Sequence, residues 1–274
     1  MVVARVPPDD VDPLSGLLWD AGAAGVEERS VPDSALVELR AGVPAELADA
    51  VAAAARGRAE VRIEPVDGDD DLDRWREFAR PWRAGGRFVV VPAWQEPPAW
   101  VGPDDVVLSI DPGRAFGSGA HPTTRACLGE LERLVEPECA VADVGCGSGV
   151  LAVAAAVQGA ALVAAVDIDP EAVRATVDNA ARNGVSGVVA ASVTPASELE
   201  AGSFDVVVAN IGAAALEALA PALVRAVADD GALVVSGILD DQGSRVLEAF
   251  EAEGFVLAGT VVDGDWRTLL LRAA

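Results

Sequence analysis

Two glycine-bearing stretches near the middle of the chain carry residue types able to grip a small charged ligand. One is DPGRAFGSGAHPTT, residues 111–124; the other is VADVGCGSGVLA, residues 141–152. In the second, Val141 to Val144 alternate poorly and read as a parallel strand buried on both faces. Gly145, Gly147 and Gly149 follow, and Val150 to Val157 continue as an apolar helix. Glycine suits a turn that bends sharply and brings backbone close to a ligand, with no Cβ in the way. The helix start offers unpaired N–H groups and a positive dipole end, suited to a carboxylate or phosphate. A tight strand–helix turn without a ligand would need similar residues, so the triplet requires support from elsewhere.

Spacing supplies it. A dinucleotide turn has the form G-x-G-x-x-G, which would put a third glycine at Val150. Here the form is G-x-G-x-G, as in S-adenosylmethionine (SAM)-dependent methyltransferases. About twenty residues on, ALVAAVDIDP ends a second strand at Asp167, where a carboxylate can bind both ribose hydroxyls. Ile168 is placed to pack on the adenine, and Asp169 ahead of Pro170 and Glu171 fits a helix cap.

In the first stretch, Pro122 suits the opening turn of a helix carrying Leu128, Leu131 and Leu134 on one side. Thr123 or Thr124 can hydrogen-bond within that turn or to the cofactor's methionine carboxylate. Phe116, between flexible residues, can close over the cofactor or the target side chain. His121 is the single histidine. It has two readings: a hydrogen-bonded structural residue, or a base.

These residues need a sheet to hold them. FDVVVA, residues 204–209, reads as a fourth strand ending in Asn210-Ile211, and GALVVSGI, residues 231–238, as a fifth. GFVLAGTVVDGDWRTLLLRAA gives two strands around Asp263-Gly264, a strong hairpin cue. An antiparallel hairpin closing a parallel sheet favours the class I methyltransferase fold over the dehydrogenase fold.

On LSIDPGRAFGSGAHPTT, DVGCGSGVLA, VDIDPEAV, DNAARNGV, FDVVVANI and LVVSGILDDQ, the chain resembles the PrmA family, bacterial methyltransferases of ribosomal protein L11. The resemblance extends over nearly the whole chain and is strongest over residues 111–239. It implies an α/β protein with a Rossmann-like, mostly parallel seven-stranded sheet and a small N-terminal substrate-recognition domain. It also implies SAM contacts at Thr124, Gly145, Asp167 and Asn210, the last beside the sulfonium where the nucleophile arrives; Gly147 and Gly149 belong to the same cofactor turn. Gly212 departs from the family's usual leucine, the alanines after it replace a segment that often carries proline, and Ser118 replaces a common threonine. The N-terminal region is shorter than usual.

Residues 1–65 read as strand, helix, strand, strand, helix, strand, the order of a ferredoxin-like α/β sandwich. Residues 66–105 read as a linker and hinge. Its acidic run 69–71 stays solvated, Trp75, Phe78 and Trp82 sit at helical spacing, and the Pro-Pro stretch between Trp94 and Trp100 is extended. The methyltransferase domain is then 106–274.

Composition bounds the partners. Net charge is −24, and all 20 basic residues are arginine. Phosphates would be repelled over most of the surface, so no direct nucleic acid partner is expected. A basic ribosomal protein would be steered in. Codon bias or adaptation to salt explains the same charge, which therefore permits that substrate without identifying it. Val150 to Val166 is broken at Gln158-Gly159 and too short to span a membrane. No charged-then-apolar leader is visible. Cys127, Cys139 and Cys146 have no metal spacing, so a reduced, cytoplasmic protein without a metal is expected.

The expected reaction is in-line transfer of the SAM methyl to lysine side chains or the N-terminal amine of a large-subunit ribosomal protein. It requires alignment of nitrogen, carbon and sulfur, and a lysine freed of its proton. Asn210 is the candidate to accept a hydrogen bond from the amine, and His121 the candidate base. A same-fold enzyme acting on another protein lysine, or a non-catalytic SAM-binding module, would carry the same cofactor motifs.

Overall fold

The computed structural model describes residues 1–23, 25–31, 34–44, 47–64, 79–113 and 121–274. These fall into two compact units, Met1–Glu77 and Phe78–Ala274.

In the first unit, strands β1 (Val2–Val6), β2 (Gly25–Ser30), β3 (Val37–Gly42) and β4 (Glu60–Ile63) alternate with helices α1 (Val11–Asp20) and α2 (Ala48–Ala55). The sheet order is β2-β3-β1-β4, antiparallel throughout, as a ferredoxin-like unit requires. Period-two alternation sorts its faces. Val2, Ala4, Val6, Leu39 and Ala41 meet Leu14, Leu18, Val51 and Ala55 of the helices in one apolar core. The opposite face pairs charges: Glu38 accepts hydrogen bonds from Arg5 Nε at 3.0 Å and Arg62 Nη2 at 2.9 Å.

The second unit is built on a seven-stranded sheet of order β10-β9-β8-β11-β12-β14-β13. Its strands are β8 (Ala140–Val144), β9 (Leu162–Asp167), β10 (Val189–Val193), β11 (Phe204–Asn210), β12 (Val227–Leu239), β13 (Phe255–Asp263) and β14 (Trp266–Ala273). Strands β8 to β12 pair in parallel, and the β13–β14 hairpin closes the sheet antiparallel to β12. Both faces are covered, which explains the near-continuous apolar runs. Val141, Val206 and Val208 pack on one side with helices α3 (Pro122–Leu134) and α4 (Val150–Gln158). Ala142, Val144, Val207 and Ala209 pack on the other with α6 (Ala213–Ala226) and α7 (Gly243–Ala252). Helix α5 (Pro170–Arg182) follows β9. Strand β10 has no counterpart in the sequence reading, because this half-exposed edge strand lacks a continuous apolar signal.

The expectation of a linker over 66–105 is corrected for residues 79–105. Strands β5 (Trp82–Ala84) and β6 (Phe88–Pro92) form a second sheet with β7 (Val106–Ile110), in the order β5-β6-β7. Phe88, Val90, Leu108 and Ile110 are buried in the same core as α4. That cover explains why every residue from Val150 to Ala156 is buried: α4 is enclosed on all sides, and its sequence is apolar all round. The stretch through Trp94 and Trp100 is the crossover that a parallel β6–β7 pair demands. Of the aromatic trio read as a helix, Trp82 lies in β5, while Trp75 and Phe78 lie outside the described residues.

Candidate active site

The register of the central strands puts the site residues at one level. Val144 of β8 lies opposite Val166 of β9 and Ala209 of β11. The next residue of each strand, Gly145, Asp167 and Asn210, therefore reaches the carboxyl edge of the sheet together. Strand order reverses between β8 and β11, the crevice where open α/β sheets bind ligands.

The glycine turn is held to its surroundings at several points. Gly145 and Cys146 both donate to the Val166 carbonyl, at 2.8 and 3.1 Å. Gly147 donates to Asp167 Oδ2 at 3.0 Å, while Asp167 Oδ1 accepts from the Asp169 N–H at 3.0 Å. The Asp167 carboxylate is thus fixed between the turn and the start of α5. Asp169 caps α5 by accepting from the Glu171 N–H at 2.8 Å, as its place before Pro170 suggested. Ile168, between these two, is 83% exposed on the same strand end.

Two of the three glycines are required by the protein itself as well as by any ligand. Gly149 has φ of 76°, and a Cβ there would lie 2.9 Å from the Thr176 Cα and 2.7 Å from its Oγ1. Gly145 has φ of 74°, and its Cβ would meet Ile211 Cγ2. Gly147 shares the left-handed conformation, at φ of 54°.

Helix α3 brings the second motif to the first. Thr124, 1% exposed, accepts a hydrogen bond from Asn210 Nδ2 at 3.2 Å, across 86 residues of sequence. With Nδ2 so engaged, Asn210 Oδ1 keeps its acceptor capacity, and among the described residues it accepts no hydrogen bond. Phe116 lies outside the described residues.

His121 takes the structural one of its two readings. It caps α3, its Nδ1 accepting from the Thr123 N–H at 3.4 Å and lying 2.8 Å from Thr123 Oγ1. Its ring stands edge-on to Trp266 of β14, with centroids 4.6 Å apart. Burial, helped by the nearby Arg125 guanidinium, lowers its pKa to about 4. With Nδ1 accepting, the proton of the neutral ring is assigned to Nε2, leaving no lone pair for a substrate proton. In this arrangement the Nδ1 lone pair faces the helix start rather than a substrate. Arg125 pairs with Asp263 at 3.1 Å, so α3 is tied to the hairpin beside the histidine. Burial raises the thiol pKa of Cys127 to about 12 and pushes that of Cys146 up as well, so neither supplies a thiolate at neutral pH.

Asp143 is a site-level residue that motif reading passed over. It is 1% exposed beneath the glycine turn; Oδ2 accepts from the Ala152 N–H at 3.0 Å, and Oδ1 has no hydrogen-bond partner among the described residues. Burial raises its pKa to about 7, against the Ala152 bond, which lowers it. Its signal was present: an acid inside an otherwise apolar strand cannot reach water. Trp266 carried no such signal, because its partner is 145 positions away in the chain.

The family model for ribosomal protein L11 methyltransferase (PrmA) matches residues 38–274. The ribosomal protein L11 methyltransferase of Pelotomaculum thermopropionicum is 39% identical over 302 residues, spanning 99% of this chain and 97% of that protein. That of Dechloromonas aromatica is 45% identical over 235 residues, spanning 84% and 76%. A crystal structure of the ribosomal protein L11 methylase from Lactobacillus delbrueckii subsp. bulgaricus superposes with a TM-score of 0.64 at 34% identity, covering 71% of this chain and 99% of that one. By the reach of these matches along the chain, it belongs to the PrmA family of ribosomal protein L11 methyltransferases.

Proposed function

We propose that this enzyme methylates amino groups of ribosomal protein L11, at lysine side chains or the N-terminal amine, with SAM as donor. The observation that carries the reading is the Thr124–Asn210 contact, which joins the two motifs beside the switch point of a PrmA-family sheet. The chemistry of the residues fits the cofactor. Asp167 presents a fixed carboxylate suited to a vicinal diol, and Ile168 presents exposed apolar surface beside it. The Gly145–Gly149 turn opens the backbone, and among the described residues the buried Asp143 Oδ1 beneath it has no hydrogen-bond partner. When bound, SAM supplies an electrophilic methyl carbon on a sulfonium.

The chain's own residues then have three tasks. Asp167, Gly145, Gly147, Gly149, Ile168 and Thr124 hold and orient the cofactor. Asn210, its Nδ2 fixed by Thr124, offers Oδ1 to the incoming amine and so aims the nitrogen lone pair. Alignment of that kind is the larger part of catalysis in a displacement between two bound partners. A lysine with pKa near ~10.4 must arrive neutral, and desolvation at the site favours the neutral form. No side-chain base is assigned, since His121 is spent on its helix.

Residues 1–65 serve as the substrate-recognition module, Phe116 closes over cofactor or target side chain, and the charge of −24 steers a basic substrate inward. No helix among the described residues is long and apolar enough to cross a membrane; the cytoplasm, where ribosomal proteins are made, is the proposed compartment. Labelled SAM incubated with unmethylated large-subunit proteins tests the whole reading. Label on L11, mapped to amines and lost with Asn210→Ala, supports it. Label on another protein moves the substrate, and intact SAM binding by Asp167→Ala would remove the pocket.

A further inference from the structure

Helix α5 carries a polar stripe, Thr176, Asn179 and Asn183, at the spacing of one helix face. Thr176 and Asn179 are fully buried. The two asparagines make matched bonds to the end of β7. Asn183 Oδ1 accepts from the Ser109 N–H at 2.9 Å, and its Nδ2 donates to the Ser109 carbonyl at 2.8 Å. Asn179 repeats this one step on, accepting from the Asp111 N–H at 2.9 Å and donating to the Asp111 carbonyl at 2.8 Å. Each amide thus imitates a neighbouring strand along the β7 edge.

They differ in the second N–H. Asn183 gives it to the Asn179 carbonyl of its own helix, at 2.8 Å. Asn179 gives it to the Ser148 carbonyl in the glycine turn, at 2.9 Å. One turn earlier on the helix, Thr176 Oγ1 donates to the Gly147 carbonyl at 3.1 Å. A peptide unit is planar, so holding its carbonyl fixes the direction of the N–H on its far side. Asn179 fixes the Ser148–Gly149 peptide, whose N–H closes the turn on the Cys146 carbonyl at 2.7 Å. Both N–H donors of its side chain are then used, and the side chain is fully buried.

We propose that Asn179 is a positioning residue for the cofactor, setting the glycine turn through Ser148 and coupling it to Asp111 at the end of β7. The proposal rests on the turn being the SAM site. Asn183 provides the matched control, because it holds the same strand by the same bonds without touching the turn.

S-adenosylhomocysteine (SAH) is the probe, titrated calorimetrically into the full chain and into Asn179→Ala, Asn183→Ala and Asp167→Ala, with thermal midpoints measured alongside. Both asparagine variants are expected to lower the midpoint. Asn179→Ala is expected to weaken SAH at least about tenfold, the loss of one buried charge-free hydrogen-bond network at the turn, while Asn183→Ala stays within about twofold. Equal weakening by both, or wild-type affinity in Asn179→Ala, overturns the proposal. Unchanged affinity in Asp167→Ala would instead strike the pocket assignment. Should Asn179→Ala not fold, amide exchange in the unaltered protein decides: SAH is expected to slow exchange at Asp111 more than at Ser109. Equal protection of the two amides refutes the coupling.

Discussion

Replacing Asp143 by asparagine should change how stability depends on pH. The carboxyl is buried in the sheet, with one oxygen on the Ala152 N–H and the other without a partner. Folding raises its pKa from 3.8 to about 7, chiefly by desolvation. Between those values the unfolded chain carries Asp143 ionised while the folded chain retains the proton. The folded state binds more protons, so this group's contribution is fully present below pH 3.8 and is lost as pH rises through about 7. At about 1.4 kcal/mol per pKa unit, the full swing is about 4.5 kcal/mol, an upper figure because relaxation around the charged form reduces it.

His121 works in the opposite sense. Its pKa is lowered from 6.5 to about 4, so its contribution is present above 6.5 and lost as pH falls towards 4. The two swings overlap and partly conceal each other in the unaltered protein. Asp143→Asn separates them. The amide is neutral at every pH, and any constant cost of burying its N–H groups cancels in a difference curve, as does the histidine. Urea unfolding of both proteins at half-unit steps from pH 4.5 to 8 gives that curve. The variant is expected to gain on the unaltered protein by about 2 to 4 kcal/mol across the range. A difference that stays constant within about 0.5 kcal/mol would refute the claim that Asp143 is buried in its protonated form.

Three further outcomes follow from the site. His121→Asn should keep the cap and leave the pH–rate profile of methyl transfer unchanged in shape, while His121→Ala loses about 1 to 2 kcal/mol by thermal unfolding. A hundredfold fall in kcat for His121→Asn, with SAH affinity intact, would restore a base at that position. Gly149→Ala must accept φ of 76° and a Cβ 2.9 Å from the Thr176 Cα, a backbone atom that cannot swing away. A cost of about 3 kcal/mol is expected in chemical unfolding, and less than about 1 would mean the turn relaxes freely. Thr124→Val removes the acceptor for Asn210 Nδ2 with little change in shape. Steady-state kinetics should show kcat lowered about tenfold with KM for the protein substrate changed much less; the reverse pattern would make Thr124 a substrate-binding residue.

Much of the cofactor end was legible before any coordinates. G-x-G-x-G after an apolar strand, an acid at the end of the next strand, and Asn-Ile after a third are local patterns, because each reports one strand's exit from the sheet. The strand–helix order of residues 1–65 was likewise legible, because each piece is a short apolar run with its own boundaries. Strand β10 and the β5–β7 sheet escaped notice for the opposite reason. The first is a half-exposed edge, and the second is interrupted by a long crossover that resembles a linker.

What the chain order could not supply was partnership. Thr124 with Asn210, His121 with Trp266, and Asn179 with both Asp111 and Ser148 are pairs separated by dozens of residues, and their types alone permit many partners. The sequence determined which groups could bind a charged, ribose-bearing ligand, since that depends on residue chemistry and backbone freedom. Tertiary structure decided which of them are available for it. Burial and hydrogen bonding set His121 against its helix and moved the pKa values of His121 and Asp143, because those depend on the water excluded by elements far away in the chain.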